Sequence, residues 1–216
     1  MNTRDENRSK RVSHLEEDLE RKAEAIMREF RPYTQGIRYL ALLHRSKEGG
    51  NQNSEYKRRG GHAIVHNEKE YYDAVVRLLT LQAVSSKPYR LYACLNPRDL
   101  KKAEHKLKIS MLDAEFGSEE NREVFYERMD ARWVSAVMDT GSRKSSLFLI
   151  DADEDGVTKD VTAPTLMWLS KNGVDVLKQY KTPNGWHIIT PPFNPTGWDV
   201  PNAEVKKDAL LLLSAA

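Results

Sequence analysis

Residues 147–156 read LFLIDADEDG, an apolar run that ends in Asp151, Asp153, Glu154 and Asp155 before Gly156. If the run is a strand that continues through the acids, Asp151 and Asp153 project from one face while Ala152 points away. Crowding these carboxylates raises the pKa of some of them, whereas a divalent cation holds them ionised. Hard oxygen donors of this kind suit Mg2+ or Mn2+, ions that also hold nucleotide phosphates. The alternative is a solvent-exposed acidic turn. A calcium loop fits less well: D-A-D-E-D-G matches its first six positions, but the twelfth is Thr162 instead of a bidentate glutamate, and an apolar strand stands where the entering helix should be.

Two further groups can join that chemistry. His187 lies in GWHII just after Asn184-Gly185, with Lys181 and Thr182 before the turn. An imidazole beside such donors can bind a phosphate or move a proton, or it can be a satisfied structural residue. Asp208 is the last acid of the chain and introduces ALLLL. A third carboxylate meeting Asp151 and Asp153 would complete a two-metal phosphoryl-transfer site, although a charge before an apolar run is also an ordinary boundary marker. The triplet Lys57, Arg58 and Arg59, in a glycine-containing polar stretch, reads as a solvated loop or a contact to a phosphate backbone.

The elements that must position these residues follow from periodicity. Ser13 and Glu16 have capping-box spacing, and Leu15, Leu19, Ala23, Ile26, Met27 and Phe30 recur as a helical stripe that RPY ends. GIRYLALLHR and YRLYACL read as strands. Asn67 with Glu70 opens one helix and Asp99 another, and Phe125, Met129, Trp133 and Val137 place a third over about 119–138. After residue 140 the order is strand, helix, strand, strand: SLFLID, a helix entered at Pro164 and stopped at Gly173, then VDVLKQY and WHIIT about an Asn-Gly turn. KKDALLLL suits a strand or a short helix. The whole is α+β or α/β.

Composition narrows the classes. The chain has 216 residues, 39% of them hydrophobic, and 34 Lys plus Arg against 32 Asp plus Glu for a net charge of +2. Attraction to a polyanion must therefore be local. No apolar stretch is long enough to span a bilayer and the N-terminus is charged, so a soluble, cytoplasmic protein with no membrane partner is expected. Cys94 is alone in an apolar run and reads as a buried small residue. His62 and His66 straddle AIV and make a poor metal pair.

Taken in order, LYACLNPRD, LFLIDADE, YKTPNGWHIITPPF and VKKDALLLL resemble the catalytic-domain motifs of the archaeo-eukaryotic primase (primase-polymerase) superfamily of phage, plasmid and mobile-element replication. The resemblance spans roughly residues 88–213. It implies an α+β domain with an RRM-like antiparallel sheet and packed helices at 36–216, after an N-terminal helical appendage at 1–35. Asp151 and Asp153 match the acidic pair, and His187 the histidine that meets the incoming nucleotide. Asp208 matches the third acid, with Asp199 after Trp198 as a competitor. By the same likeness Asp151, Asp153 and Asp208 would hold Mg2+ or Mn2+. His187, Lys181, Thr182 and Arg98 would hold a nucleoside triphosphate. Arg90, Lys57, Arg58, Arg59, Lys101, Lys102, Arg143 and Lys144 would contact single-stranded or primed nucleic acid. The setting implied is a bacterial or phage-infected cell, with a replication helicase or another replication protein as a further partner. Three readings stay open: a nucleotidyltransferase, a non-catalytic nucleic-acid-binding subunit, and a metal-dependent phosphodiesterase.

Overall fold

The computed structural model describes residues 3–33, 35–44, 59–154 and 161–215. The fold is α+β, and the backbone divides into two compact units, residues 1–93 with 213–216, and residues 94–212. Among the described residues no helix is long and apolar enough to cross a membrane.

In the first unit, α1 (Thr3–Phe30) packs on α2 (Glu68–Val84). The helix begins well before the Ser13-Glu16 box, because TRDENRSKRV has no Gly or Pro and is rich in straight side chains that lose little freedom in a helix. Leu19, Ala23, Ile26 and Phe30 are buried as their spacing predicts, but Leu15 is exposed. Asn67 caps α2: its Oδ1 accepts from Glu70 N at 2.9 Å, and its Nδ2 donates to Glu70 Oε1 at 2.8 Å. Strand β1 (Arg38–His44) pairs antiparallel with β2 (Arg59–Val65) and with β3 (Tyr89–Cys94). Periodicity did not announce β2, since Gly60 and Gly61 weaken a strand. A Cβ on Gly60 would lie 2.5 Å from the Tyr89 ring, so a larger residue there requires that ring to move. His66 Nδ1 meets Glu70 Oε2 at 2.9 Å while the His62 ring faces Tyr39, so the two histidines have separate partners.

The second unit is built on an antiparallel sheet of β4 (Phe148–Asp153), β5 (Lys178–Thr182), β6 (Gly185–Thr190) and β7 (Ala203–Lys206), in the order β5-β6-β4-β7. Its apolar face buries Ile150 and Ile188 against Leu169 of α6 (Thr162–Lys171), with Trp168, Phe193, Trp198 and Val205 around them. Helix α6 carries Pro164 in its first turn and ends before Gly173, whose φ of 64° suits glycine. Helix α3 (Leu100–Glu115) is capped by Asp99 as expected and packs on α4 (Glu119–Glu127) and α5 (Met129–Met138). The single helix expected over 119–138 is thus two. Arg128, at φ −110° and ψ 24°, bonds back to Phe125 O and interrupts the ladder, and Arg132 reaches over the Phe125 ring. The β5–β6 turn is Pro183-Asn184 with Gly185 already in β6. Proline cannot take the positive φ that an Asn-Gly type I′ turn would need there. KKDALLLL yields a strand, β8 (Leu210–Ser214), whose residues 213 and 214 are grouped with the first unit.

Candidate active site

The acids of LFLIDADEDG stand on β4 because the strand alternates: Phe148, Ile150 and Ala152 bury on one face, so Asp151 and Asp153 take the other. Antiparallel register sets Asp151 opposite His187 of β6 and Glu204 of β7, and sets His187 opposite Tyr180 of β5. Four strands therefore contribute one residue each to a row, Tyr180–His187–Asp151–Glu204, on the face away from α6. Lys206 follows Glu204 by two residues and shares its face.

The row is hydrogen-bonded. Tyr180 Oη lies 2.8 Å from His187 Nδ1, and His187 Nε2 lies 3.2 Å from Asp151 Oδ1. Lys206 Nζ is 2.5 Å from Asp151 Oδ2 and 3.4 Å from Glu204 Oε2. An ionised carboxylate can only accept, so Nε2 carries a proton toward Asp151; in the neutral ring, Nδ1 then accepts from the Tyr180 hydroxyl. Tyr180 and His187 are buried, while the Asp151 side chain is 22% and that of Lys206 36% exposed.

Burial by itself raises the Asp151 pKa, but hydrogen bonds from His187 and Lys206, and their charges, outweigh it and hold the carboxyl well below the usual aspartate range. Burial likewise lowers Lys206, and Asp151 with Glu204 more than reverses this, raising it. The signs give a prediction. Asp151 contributes stability above the ordinary aspartate pKa of about 3.9, lost as pH falls through its lower folded value; Lys206 contributes below about 10.4, lost as pH rises through its higher one. In chelator-treated protein, the stability gap between wild type and Asp151→Asn should be full at pH 7 and narrow below about pH 4, read by urea denaturation. A gap that stays constant to pH 2 would contradict the pairing.

Asp151, Asp153, Asn202, Ala203 and Glu204 line an open pocket of about 380 Å³. Asn202, in that lining, has φ 58°, and its carbonyl accepts from Asp153 N at 2.9 Å. No protein-family model, curated protein or solved structure matches this chain. Three carboxylates on one pocket wall are hard oxygen donors of the kind Mg2+ or Mn2+ takes. Among the described residues no group of three or more His, Cys, Asp or Glu is gathered as a ready ligand set, and the positive charge at Asp151 is that of Lys206.

The other candidate residues fall elsewhere. Asp208 does not line the pocket; its carboxylate receives Arg98 Nη1 and Nη2 at 3.0 Å each, and Arg98 is fully buried. The side chain of Asn96 donates to Leu147 O and accepts from Leu147 N, and its Nδ2 lies 3.5 Å from Asp208 Oδ1. Lys181 pairs with Trp186, so it stands on the sheet face opposite His187, whereas Thr182 shares the histidine's face. Lys101 and Lys102 open α3, where Lys102 Nζ reaches Arg143 O, and Lys144 is exposed beside them. The Arg143 guanidinium is occupied by the carbonyls of Thr140 and Lys207. Arg90 is half-buried on β3, in the first unit. Arg59 opens β2, with its side chain outside the described residues, as are Lys57, Arg58, Asp155 and Gly156.

The sequence reading does not single out Tyr180, Glu204 or Lys206. A signal existed: Ala203-Glu204-Val205-Lys206 alternates apolar and charged residues as a short strand does.

Proposed function

We propose that this chain is a metal-dependent nucleotidyltransferase of the primase-polymerase kind, acting on nucleoside triphosphates with a single-stranded or primed nucleic acid. The observation that carries the reading is that Asp151, Asp153 and Glu204 line one open pocket, with His187 bonded directly to Asp151. Asp151, Asp153 and Glu204 would hold Mg2+ or Mn2+, which when bound supplies charge stabilisation to an attacking 3′-hydroxyl and to the α-phosphate. His187 is fixed in place by Tyr180 and directs its Nε2 proton at Oδ1 of Asp151, one of the acids that line the pocket, from where it would move toward a phosphate oxygen bound there. Glu204 takes the third-acid part for which Asp208 was the candidate from sequence, and Asp208 is left to its pair with Arg98.

The test is nucleotide incorporation on primed and unprimed single strands with each metal. Folded wild type should extend, and Asp151→Asn with Asp153→Asn should lower the rate by about a thousandfold or more, the scale on which loss of transition-state charge stabilisation is felt. No incorporation by folded wild type beside an active control polymerase would refute the enzyme reading. Shortening of the labelled strand would point to a phosphodiesterase.

One observation favours a second reading, a primase-like fold kept as a nucleic-acid-binding replication subunit: the Lys206 ammonium already neutralises Asp151. Strand binding that survives the double change, with no wild-type catalysis, would select it.

A further inference from the structure

We infer that Lys206 is a tethered counter-ion that a divalent cation must displace, and so the residue that sets the metal affinity of this pocket. The inference rests on the metal reading above and adds a control on it. Both oxygens of Asp151 already have donors, His187 Nε2 on Oδ1 and Lys206 Nζ on Oδ2, and the same ammonium reaches Glu204 Oε2 at 3.4 Å. A small divalent ion binds a carboxylate oxygen at about 2.0–2.1 Å. Sharing Oδ2 with an ammonium 2.5 Å away is unfavourable, because the two cations would stand no more than about 4.6 Å apart and repel. Lys206 is the mobile partner. Its side chain is 36% exposed and has a flexible stem, whereas His187 is buried between Tyr180 and Asp151.

The ammonium therefore competes for the site as a ligand present at high effective concentration, since it is covalently attached to β7. With Lys206 in place, the formal charges of Asp151, Asp153 and Glu204 are partly cancelled; without it all three face an incoming ion.

The experiment measures Mn2+ binding by the intact chain from the free-ion paramagnetic resonance signal, independently of activity. Lys206→Met should bind Mn2+ about tenfold more tightly than wild type, a change of 1.4 kcal/mol. Lys206→Arg, which keeps the charge, should stay close to wild type. Adding Asp153→Asn to the methionine variant should reverse its gain. A methionine variant that binds no more tightly than wild type overturns the inference, and if wild-type binding is then still lost with Asp153→Asn, the metal reading stands alone. Absence of Mn2+ binding in every folded variant overturns both. A second measurement avoids substitution altogether: labelling of Lys206 by an amine-reactive ester, followed by mass spectrometry, should rise several-fold when Mn2+ is added. Labelling unchanged at saturating Mn2+ overturns the inference.

Discussion

Replacing Arg98 by methionine is expected to lower the stability of the unit spanning residues 94–212 by about 3–5 kcal/mol. The Arg98 side chain has no exposed surface and meets the Asp208 carboxylate through two nitrogen–oxygen contacts of 3.0 Å. Methionine would fill much of the same volume but leave that carboxylate, 11% exposed, with the long 3.5 Å contact from Asn96. A buried charge stripped of its partner is what makes such a change expensive, far more than the pair gains over an apolar replacement. Two consequences follow. Asp208→Asn should cost a similar amount, because it strands the guanidinium. The double change Arg98→Met with Asp208→Leu should recover most of the loss, which a double-mutant cycle reads directly. Trp133, Trp168, Trp186 and Trp198 all lie within 94–212, so tryptophan fluorescence during urea unfolding reports this unit alone. Single variants within about 0.5 kcal/mol of wild type would show the pair to be incidental. The experiment also separates two roles for Asp208: a metal ligand changed to asparagine would leave the metal-free fold essentially as stable as before.

Asp208 shows what the sequence could and could not disclose. Its position before an apolar run was correct as a boundary, since β8 begins at Leu210, but its partner lies 110 residues away and no local pattern announces Arg98. The strand that carries Asp151 was legible because Phe148, Leu149 and Ile150 are buried before the first acid, and the caps at Asn67 and Asp99 were legible because a cap is a contact within three residues. The row Tyr180–His187–Asp151–Glu204 was half legible. Alternation gives each residue its face, but only strand order gives its neighbours, and β7 beside β4 is a long-range fact. Lys181 was drawn to His187 by closeness in sequence, yet a one-residue offset along β5 turns it to the other face. The break at Arg128 escaped for the opposite reason: the apolar spacing runs unbroken through a point where the backbone ladder does not.

The Gly185→Ala variant should unfold this unit more easily by about 1–3 kcal/mol and take the pocket with it. A Cβ on Gly185 would stand 2.0 Å from Ala152 O, 2.9 Å from Asp153 Cα and 3.0 Å from Ala152 C, all backbone atoms of β4 that cannot swing aside as a side chain end can. Relief requires β4 and β6 to part where Gly185 pairs with Asp153, next to the bond from Glu154 N to Asn184 O. Asp153 would then leave the wall it shares with Asp151 and Glu204, so Mn2+ binding should fall even in the protein that remains folded. Gly173→Ala is the control. Gly173 sits at φ 64° with nothing within 4 Å of an added Cβ, so that change should cost only the strain of a left-handed residue, about 1 kcal/mol, and leave the pocket intact. Amide exchange at Glu154, whose N–H donates to Asn184 O across the β4–β6 contact, distinguishes the cases: protection should be lost selectively in Gly185→Ala and retained in Gly173→Ala. Equal stability and equal protection in the two variants would mean that the close approach of β6 to β4 is not what positions the second acid.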